Sequence, residues 1–242
     1  MINVIVCDDY NQLSNVAFEI MLSVIKNKED ATLGLATGSS PIGLYQNMIA
    51  DYDKKKTSYK MIKTFNLDEY VGIDVHHPES YYSFMHRNLF DHIDIDEKNI
   101  HIPSNVGDDL QKNCDDYNKL LAENVIDIQL LGIGSNGHIG FNEPYTAFDS
   151  LTHIVDLKQS TINDNARFFN NDTSLVPKKA ITMGIANVMA ARKILLLATG
   201  ENKAEAIYQT IKGKIDESCP STILQRHNDV TIVVDKLAAS KL

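Results

Sequence analysis

A glycine-rich segment that contains one histidine and one glutamate is the part of the sequence best suited to chemistry. Residues 132–144 read GIGSNGHIGFNEP, with His138 among four glycines and Glu143 five residues further on. Glycine lets the backbone turn tightly and approach a ligand, and histidine transfers protons near neutral pH. A carboxylate beside a histidine orients the ring or stabilises its charged form. The segment therefore predicts an acid–base site in which His138 acts and Glu143 supports it.

The same segment also satisfies the Gly-x-Gly-x-x-Gly pattern of dinucleotide-binding proteins. Asp156 lies near the spacing expected for a ribose contact, so a nicotinamide or flavin site is an alternative. In such sites a helix opens within the pattern, whereas Pro144 would break one early. The histidine pairs of the chain also lack the HExxH spacing of zinc enzymes. We therefore expect neither a cofactor nor a bound metal.

Two loops with the sequence Leu-Ala-Thr-Gly each follow an apolar run and precede a helical pattern. In the first loop, Ser40 suits a helix N-cap and Pro41 the first helical position. The second loop carries Lys203 at the start of its helix. Free amides at a helix N-terminus bind anions, so the repeat predicts that both loops converge on one anionic group. Each loop by itself also fits an ordinary capped helix start.

Two adjacent carboxylates, Asp68 and Glu69, end the apolar run Lys63–Leu67. Successive side chains of a strand point to opposite faces, so only one of the two can face a given cleft. A buried carboxylate there would have a raised pKa and would be able to abstract a proton from carbon. From these residues alone, a salt bridge or a cap at a strand end is the simpler interpretation.

The elements that must position these groups alternate between apolar runs and helical patterns. We predict strands at Asn3–Cys7, Thr32–Ala36, Lys63–Leu67, Ile126–Ile133, Lys193–Ala198 and Val230–Val234. We predict helices at Asn11–Asn27, Pro41–Tyr52, Tyr81–Phe90, Asp109–Asn124, Val176–Ala190 and Asn202–Lys212. Continuous apolar strands are typical of a parallel sheet covered on both faces. The fold class is therefore α/β, an open doubly wound, mostly parallel and Rossmann-like sheet, with ligands at the carboxyl ends of the strands.

The composition limits the partners, the redox state and the location that the protein can have. The chain has 242 residues, of which 43% are hydrophobic, and its formal net charge is −9. This charge disfavours nucleic acid as a partner. Three widely spaced cysteines without a CxxC motif predict a reduced protein. We find neither a signal peptide nor an apolar run long enough to span a membrane. We therefore expect one cytoplasmic domain over residues 1–242.

Four segments together resemble the glucosamine-6-phosphate deaminase (glucosamine-6-phosphate isomerase) family. They are TGSSP at 37–41, FNLDEYVG at 65–72, HPESYY at 77–82 and GHIGFNEP at 137–144, in family order. Members convert glucosamine 6-phosphate and water to fructose 6-phosphate and ammonia without a redox cofactor. The resemblance implies an α/β fold of the sugar-phosphate isomerase type.

The resemblance also implies roles for individual residues. Asp68 matches the proton acceptor of the enolisation step, His138 the ring-opening acid–base group, and Glu143 its supporting carboxylate. Asn136 stands where some members have aspartate, and its amide orients groups by hydrogen bonds only. The implied phosphate ligands are Thr37, Gly38, Ser39, Ser40, Arg167 and Lys203, and residues 157–177 match a mobile lid over the active site.

Other features of the family bear on regulation and on alternatives. His153 and Val155 stand where allosteric members carry basic residues, and those members extend further at the C-terminus. We therefore expect no activation by N-acetylglucosamine 6-phosphate, and a monomer or a small homo-oligomer. A related 6-phosphogluconolactonase is the first alternative function, although it has no need of a proton acceptor at Asp68. A non-enzymatic sugar-phosphate sensor domain is the second, and it would require an attached DNA-binding domain.

Overall fold

The main sheet of the protein is parallel throughout. The computed structural model describes residues 2–159, 162–163, 166 and 169–242. The strands are β1 (Ile2–Cys7), β2 (Thr32–Leu35), β3 (Lys63–Asn66), β4 (Asp68–Tyr70), β5 (Ile100–His101), β6 (Ile128–Leu131), β7 (His153–Asp156), β8 (Lys179–Thr182), β9 (Ile194–Ala198) and β10 (Val230–Asp235). Seven of them form one sheet in the order β1-β10-β9-β6-β2-β3-β5, and every neighbouring pair is parallel.

The central strands are covered on both faces, as their continuous apolar sequences predict. Every residue of β2, β6 and β9 is buried. All six predicted strands are present, with ends that shift by one or two residues. The doubly wound α/β fold predicted from the sequence is confirmed.

Helices connect the parallel strands. They are α1 (Tyr10–Asn27), α2 (Ile42–Asp53), α3 (Tyr81–Asn88), α4 (Leu110–Glu123), α5 (Ile185–Met189) and α6 (Ala204–Lys212). Crossovers between parallel strands are right-handed. The connections through α1 and α2 run from the β1 end of the sheet towards the β5 end, whereas those through α4 and α6 run in the opposite direction. The two pairs of helices therefore cover opposite faces of the sheet. No helix in the described part of the chain is long and apolar enough to cross a bilayer.

A second, antiparallel sheet lies beside the first and was not predicted. Its order is β4-β8-β7, with Asp68 paired to Thr182 and Thr182 also paired to His153. The predicted helix Val176–Ala190 is therefore wrong over its first half, where β8 lies, and only Ile185–Met189 is helical. A continuous apolar run does not distinguish a buried strand from a buried helix. Gly184 lies between the strand and the helix. A Cβ at this position would lie 2.1 Å from the Ser150 carbonyl oxygen, so only glycine fits there.

Candidate active site

The loops singled out in the sequence meet at one edge of the main sheet. In the sheet order, β6 lies between β2 and β9, and the three strands are parallel. The segments that follow them, residues 36–41, 132–144 and 199–203, therefore leave the same carboxyl edge as neighbours. This is the edge where doubly wound sheets bind ligands.

His138, Asn136 and Glu143 form a continuous hydrogen-bonded network. The Asn136 amide nitrogen donates to Glu143 Oε2 at 2.8 Å, and Asn136 Oδ1 lies 2.8 Å from His138 Nδ1. The Asn136 amide nitrogen donates to Glu143, so the Asn136 side-chain oxygen is the atom that faces the histidine and must accept from it. The proton of His138 is therefore on Nδ1. Nε2 is then the basic nitrogen of His138. Glu143 Oε1 also lies 3.6 Å from Nδ1, so the carboxylate supports the ring directly and through Asn136.

The charges around Glu143 keep its carboxyl group ionised. Burial by itself would raise the pKa, but His138, the hydrogen bond from Asn136 and the ammonium of Lys158 together lower it. Lys158 Nζ lies 3.3 Å from Glu143 Oε2, a contact that was not predicted from the sequence. Glu143 therefore accepts from two donors at one oxygen and faces the histidine with the other.

The glycine-rich loop is shaped to carry His138. The Gly134 amide donates to the His138 carbonyl at 2.9 Å, which closes a tight turn. A Cβ on Gly134 would lie 2.2 Å from the imidazole ring, so only glycine leaves room for it. No helix opens within residues 132–152, all of which are described. The loop therefore lacks the helix that the dinucleotide pattern needs.

Asp68 faces this loop from the second sheet. Its side chain is 6% exposed. Burial, and secondarily the neighbouring Glu69, raise its pKa to about 8. Asp68 Oδ2 lies 3.6 Å from the position that a Cβ on Gly140 would occupy. The buried carboxylate therefore lies beside Gly140, two residues after His138 in the same loop.

Glu69 points to the opposite side of β4 and has a different environment. Its carboxylate accepts from the backbone amides of Tyr70, Tyr81 and Tyr82, two of them at the start of α3. Burial raises the pKa of Glu69, and these three hydrogen bonds oppose that effect. Of the two adjacent carboxylates, only Asp68 therefore faces the loop of His138.

Tyr81 lies within the electrostatic influence of Asp68 and contacts Thr37 of the first Leu-Ala-Thr-Gly loop, and it was not predicted as a site residue. Its hydroxyl hydrogen-bonds with the side chains of Tyr70 and Thr37, and burial raises its pKa well above the usual value. Its ring also stacks on Phe141 of the glycine-rich loop, with 6.2 Å between ring centres. The tyrosine pair in the segment HPESYY was the only signal in the sequence.

The first Leu-Ala-Thr-Gly loop differs in detail from its prediction. Gly38 has φ of +93°, which favours glycine. The helix starts at Ile42 with Pro41 in the cap position, so Ser40 does not cap it as expected. The Tyr10 hydroxyl caps the helix instead, because it accepts a hydrogen bond from the Gly43 amide at 2.8 Å.

The second Leu-Ala-Thr-Gly loop cannot offer its glycine amide to an anion. The Gly200 amide donates to both carboxylate oxygens of Asp235, at 3.1 and 3.0 Å. The two loops of equal sequence therefore differ at this glycine. The second loop instead carries Lys203, in the single helical turn Glu201–Lys203 at the carboxyl edge of the main sheet. Arg167, the other predicted cation, lies outside the described residues.

Residues of the predicted lid pack against Tyr70 and Phe141. The described residues of 157–177 that are buried there are Leu157, Ile162, Ala166, Phe169 and Val176, in one cluster with Tyr70 and Phe141. Phe169 contacts Tyr70 edge-on at 6.1 Å and stacks on His77 at 5.8 Å between ring centres. Among the described residues, no group of three or more His, Cys, Asp and Glu is arranged to hold a metal ion.

Comparison with known proteins identifies one family. Residues 10–233 match the model of glucosamine-6-phosphate isomerases/6-phosphogluconolactonase. A glucosamine-6-phosphate deaminase of Clostridium novyi is 54% identical over 97% of both chains. One of Mycoplasma mycoides is 53% identical over 98% of this chain and 96% of its own.

Solved structures give the same result. A monomeric glucosamine-6-phosphate deaminase is 44% identical with a TM-score of 0.96, over 99% of this chain and 100% of its own. The 6-phosphogluconolactonase of Trypanosoma cruzi shares the fold at 23% identity and a TM-score of 0.81, over 100% of this chain and 97% of its own. The chain therefore belongs to the family of glucosamine-6-phosphate isomerases and 6-phosphogluconolactonases.

Proposed function

We propose that the protein is a glucosamine-6-phosphate deaminase, which converts glucosamine 6-phosphate and water to fructose 6-phosphate and ammonia. The observation that carries the proposal is the buried carboxyl of Asp68 facing the loop of His138. An aldose–ketose conversion needs a base for a carbon-bound proton, whereas lactone hydrolysis does not. Relatives with this activity are about half identical over nearly the whole chain, and the lactonase from Trypanosoma cruzi is only 23% identical.

The histidine network would open the sugar ring. His138 Nε2 takes the proton of the C1 hydroxyl and returns a proton to the ring oxygen as the bond from C1 to that oxygen breaks. The ring oxygen becomes the C5 hydroxyl and C1 becomes an aldehyde. Glu143 stabilises the imidazolium that forms between the two transfers, directly and through Asn136.

Asp68 would then move a proton from C2 to C1. Its ionised carboxyl removes the C2 proton while the C2 ammonium gives a proton to the aldehyde oxygen, which yields an enolamine, and Asp68 then returns its proton at C1. The product is an imine at C2, and water replaces its nitrogen to leave a ketone and ammonia. A base with a pKa near the working pH suits such a step, and burial raises the pKa of Asp68 to about 8.

The phosphate group would bind between the two Leu-Ala-Thr-Gly loops. The proposed ligands are Thr37, Gly38, Ser39, Ser40, Lys203 and Arg167. With a net charge of −9, the chain as a whole does not attract an anion, so local groups must hold it. Since the Gly200 amide is occupied by Asp235, Lys203 supplies the contact from the second loop.

Lys203→Ala is expected to raise KM by about 10- to 100-fold with little change in kcat. A hydrogen bond to a charged group contributes about 1.5–3 kcal/mol, and this one is present in ground and transition states alike. Steady-state kinetics with glucosamine 6-phosphate measure the effect, and Lys212→Ala, an exposed lysine at the other end of α6, is the control. A fall in kcat at unchanged KM would contradict the assigned contact.

A direct assay tests the function itself. Purified protein incubated with glucosamine 6-phosphate and no added cofactor is expected to release ammonia and fructose 6-phosphate in equal amounts. Hydrolysis of 6-phosphogluconolactone without ammonia release would instead support the lactonase alternative. Binding of the sugar phosphate without either reaction would support the sensor alternative.

The remaining expectations concern the setting of the enzyme. We propose a cytoplasmic enzyme that is a monomer or a small homo-oligomer, with residues 157–177 as the lid of one domain. A solved relative that is 44% identical is described as monomeric. Sedimentation of the purified protein measures the oligomeric state, and kinetics with added N-acetylglucosamine 6-phosphate test the expected lack of activation.

A further inference from the structure

A lysine outside the residues discussed so far for catalysis is fixed beside the histidine network. Lys158 Nζ lies 3.3 Å from Glu143 Oε2, the same oxygen that accepts from Asn136 Nδ2 at 2.8 Å. The other carboxylate oxygen, Oε1, lies 3.6 Å from His138 Nδ1. Two donors on one oxygen orient the carboxylate so that its other oxygen, Oε1, faces the histidine.

The backbone around Lys158 is anchored on both sides. The preceding residue, Leu157, is 9% exposed and donates its amide to the Lys178 carbonyl at 2.8 Å. The Lys158 carbonyl accepts from the Ile162 amide at 3.0 Å. The side chain therefore starts from a defined point at the end of β7 and extends towards Glu143.

We propose that Lys158 is a positioning residue for ring opening, whose ammonium group holds the Glu143 carboxylate in place behind Asn136 and His138. This inference rests on the proposed deaminase function. Lys158 is half exposed, so its contribution is electrostatic and orientational and does not come from burial. Within the described part of the chain, His138 and Lys158 are charged groups that face Glu143, and Asn136 adds a neutral amide.

The sign of the effect follows from these charges. A positive charge beside a carboxylate favours its ionised form, and Lys158 contributes to lowering the pKa of Glu143. Without this charge, Glu143 would take up a proton at a higher pH. A protonated Glu143 cannot stabilise an imidazolium at His138, so activity would be lost at a higher pH as well.

The test compares Lys158→Met, which keeps the length of the side chain, with Lys158→Arg, which keeps the charge. In Lys158→Met the part of the acidic limb of the kcat–pH profile that follows Glu143, at lower pH than the part set by Asp68, is expected to move up by about half a pH unit, with KM within about twofold of wild type. Lys158→Arg is expected to retain the wild-type profile. Lys179→Met is the matched control, because Lys179 is similarly exposed and lies 3.7 Å from Asp156, outside the network.

A second measurement does not depend on activity. The carboxyl carbon of Glu143, assigned with Glu143→Gln, is titrated by NMR in wild type and in Lys158→Met. The midpoint is expected to rise by about half a pH unit in the variant. In about 1 M salt, which screens exposed charges, the wild-type midpoint is expected to move towards that of the variant.

Three results would overturn the proposal. They are an unchanged Glu143 midpoint in Lys158→Met, an equal shift of the acidic limb in Lys179→Met, or a rise in KM alone, which would make Lys158 a substrate-binding residue. Wild-type protein that releases no ammonia would remove the proposed function instead. The titration would then still decide whether Lys158 holds the Glu143 carboxylate.

Discussion

Asp68→Asn is expected to lower kcat for glucosamine 6-phosphate by about 10³-fold or more, because an amide cannot accept the C2 proton. Exchange of that proton with deuterated water should be lost as well, while affinity for the sugar phosphate stays close to wild type. Kinetics and NMR detection of deuterium at C2 measure the two effects. Asp115→Asn, an exposed aspartate on α4, is the control. Turnover within tenfold of wild type would exclude Asp68 as the base.

The pH dependence of proton exchange should follow the ionisation of Asp68. Its pKa is raised to about 8 by burial and by Glu69, so most of the carboxyl groups in the free protein are protonated at pH 7. The kcat/KM for exchange should therefore rise as pH increases towards 8 and level off above it. This rise of kcat/KM with pH is expected to be absent from any residual activity of Asp68→Asn.

The same substitution should stabilise the fold at alkaline pH. The native carboxyl holds its proton up to about pH 8, whereas the unfolded one releases it near its ordinary pKa of 3.8. Native protein therefore binds more protons between these values, and stability falls as pH rises through that range. An amide does not ionise, so Asp68→Asn should gain about 5 kcal/mol over wild type at pH 8, since the two pKa values differ by about four units and each unit corresponds to about 1.4 kcal/mol. The gain should vanish near pH 4, which urea unfolding at both pH values measures.

His138→Gln is expected to lower kcat by about 10²- to 10⁴-fold, the usual contribution of a general acid–base group. Glutamine retains a polar side chain but has no basic nitrogen to take the proton of the C1 hydroxyl. KM should change little, because the phosphate ligands are untouched. Steady-state kinetics measure both parameters.

The control for this substitution is His92→Gln, which changes an exposed histidine whose Nε2 lies 3.0 Å from the Arg87 carbonyl. It should leave kcat within about twofold of wild type. A destabilised His138→Gln protein would show a lowered melting temperature by circular dichroism, so this measurement separates a folding defect from a catalytic one. A folded variant with normal kcat would contradict the ring-opening role.

The local sequence determined the main sheet and the histidine network. Continuous apolar runs predicted β2 and β9, because a strand covered on both faces needs apolar side chains on both. His138 and Glu143 are five residues apart in a loop that does not form a helix, and such a short loop keeps its ends close. Asn136, two residues before the histidine, falls between them for the same reason.

Contacts between distant parts of the chain were decided only by the tertiary structure. Asp68 looked like a strand end, and its burial depends on β4 pairing with β8, far along the chain. Pairing of Gly200 with Asp235, 35 residues away, likewise separates two loops of equal sequence. Lys158 reaches Glu143 because the strand before it ends beside the loop. Spacing in the sequence limits only short-range contacts, whereas burial and the resulting pKa of Asp68 depend on how the two sheets pack together.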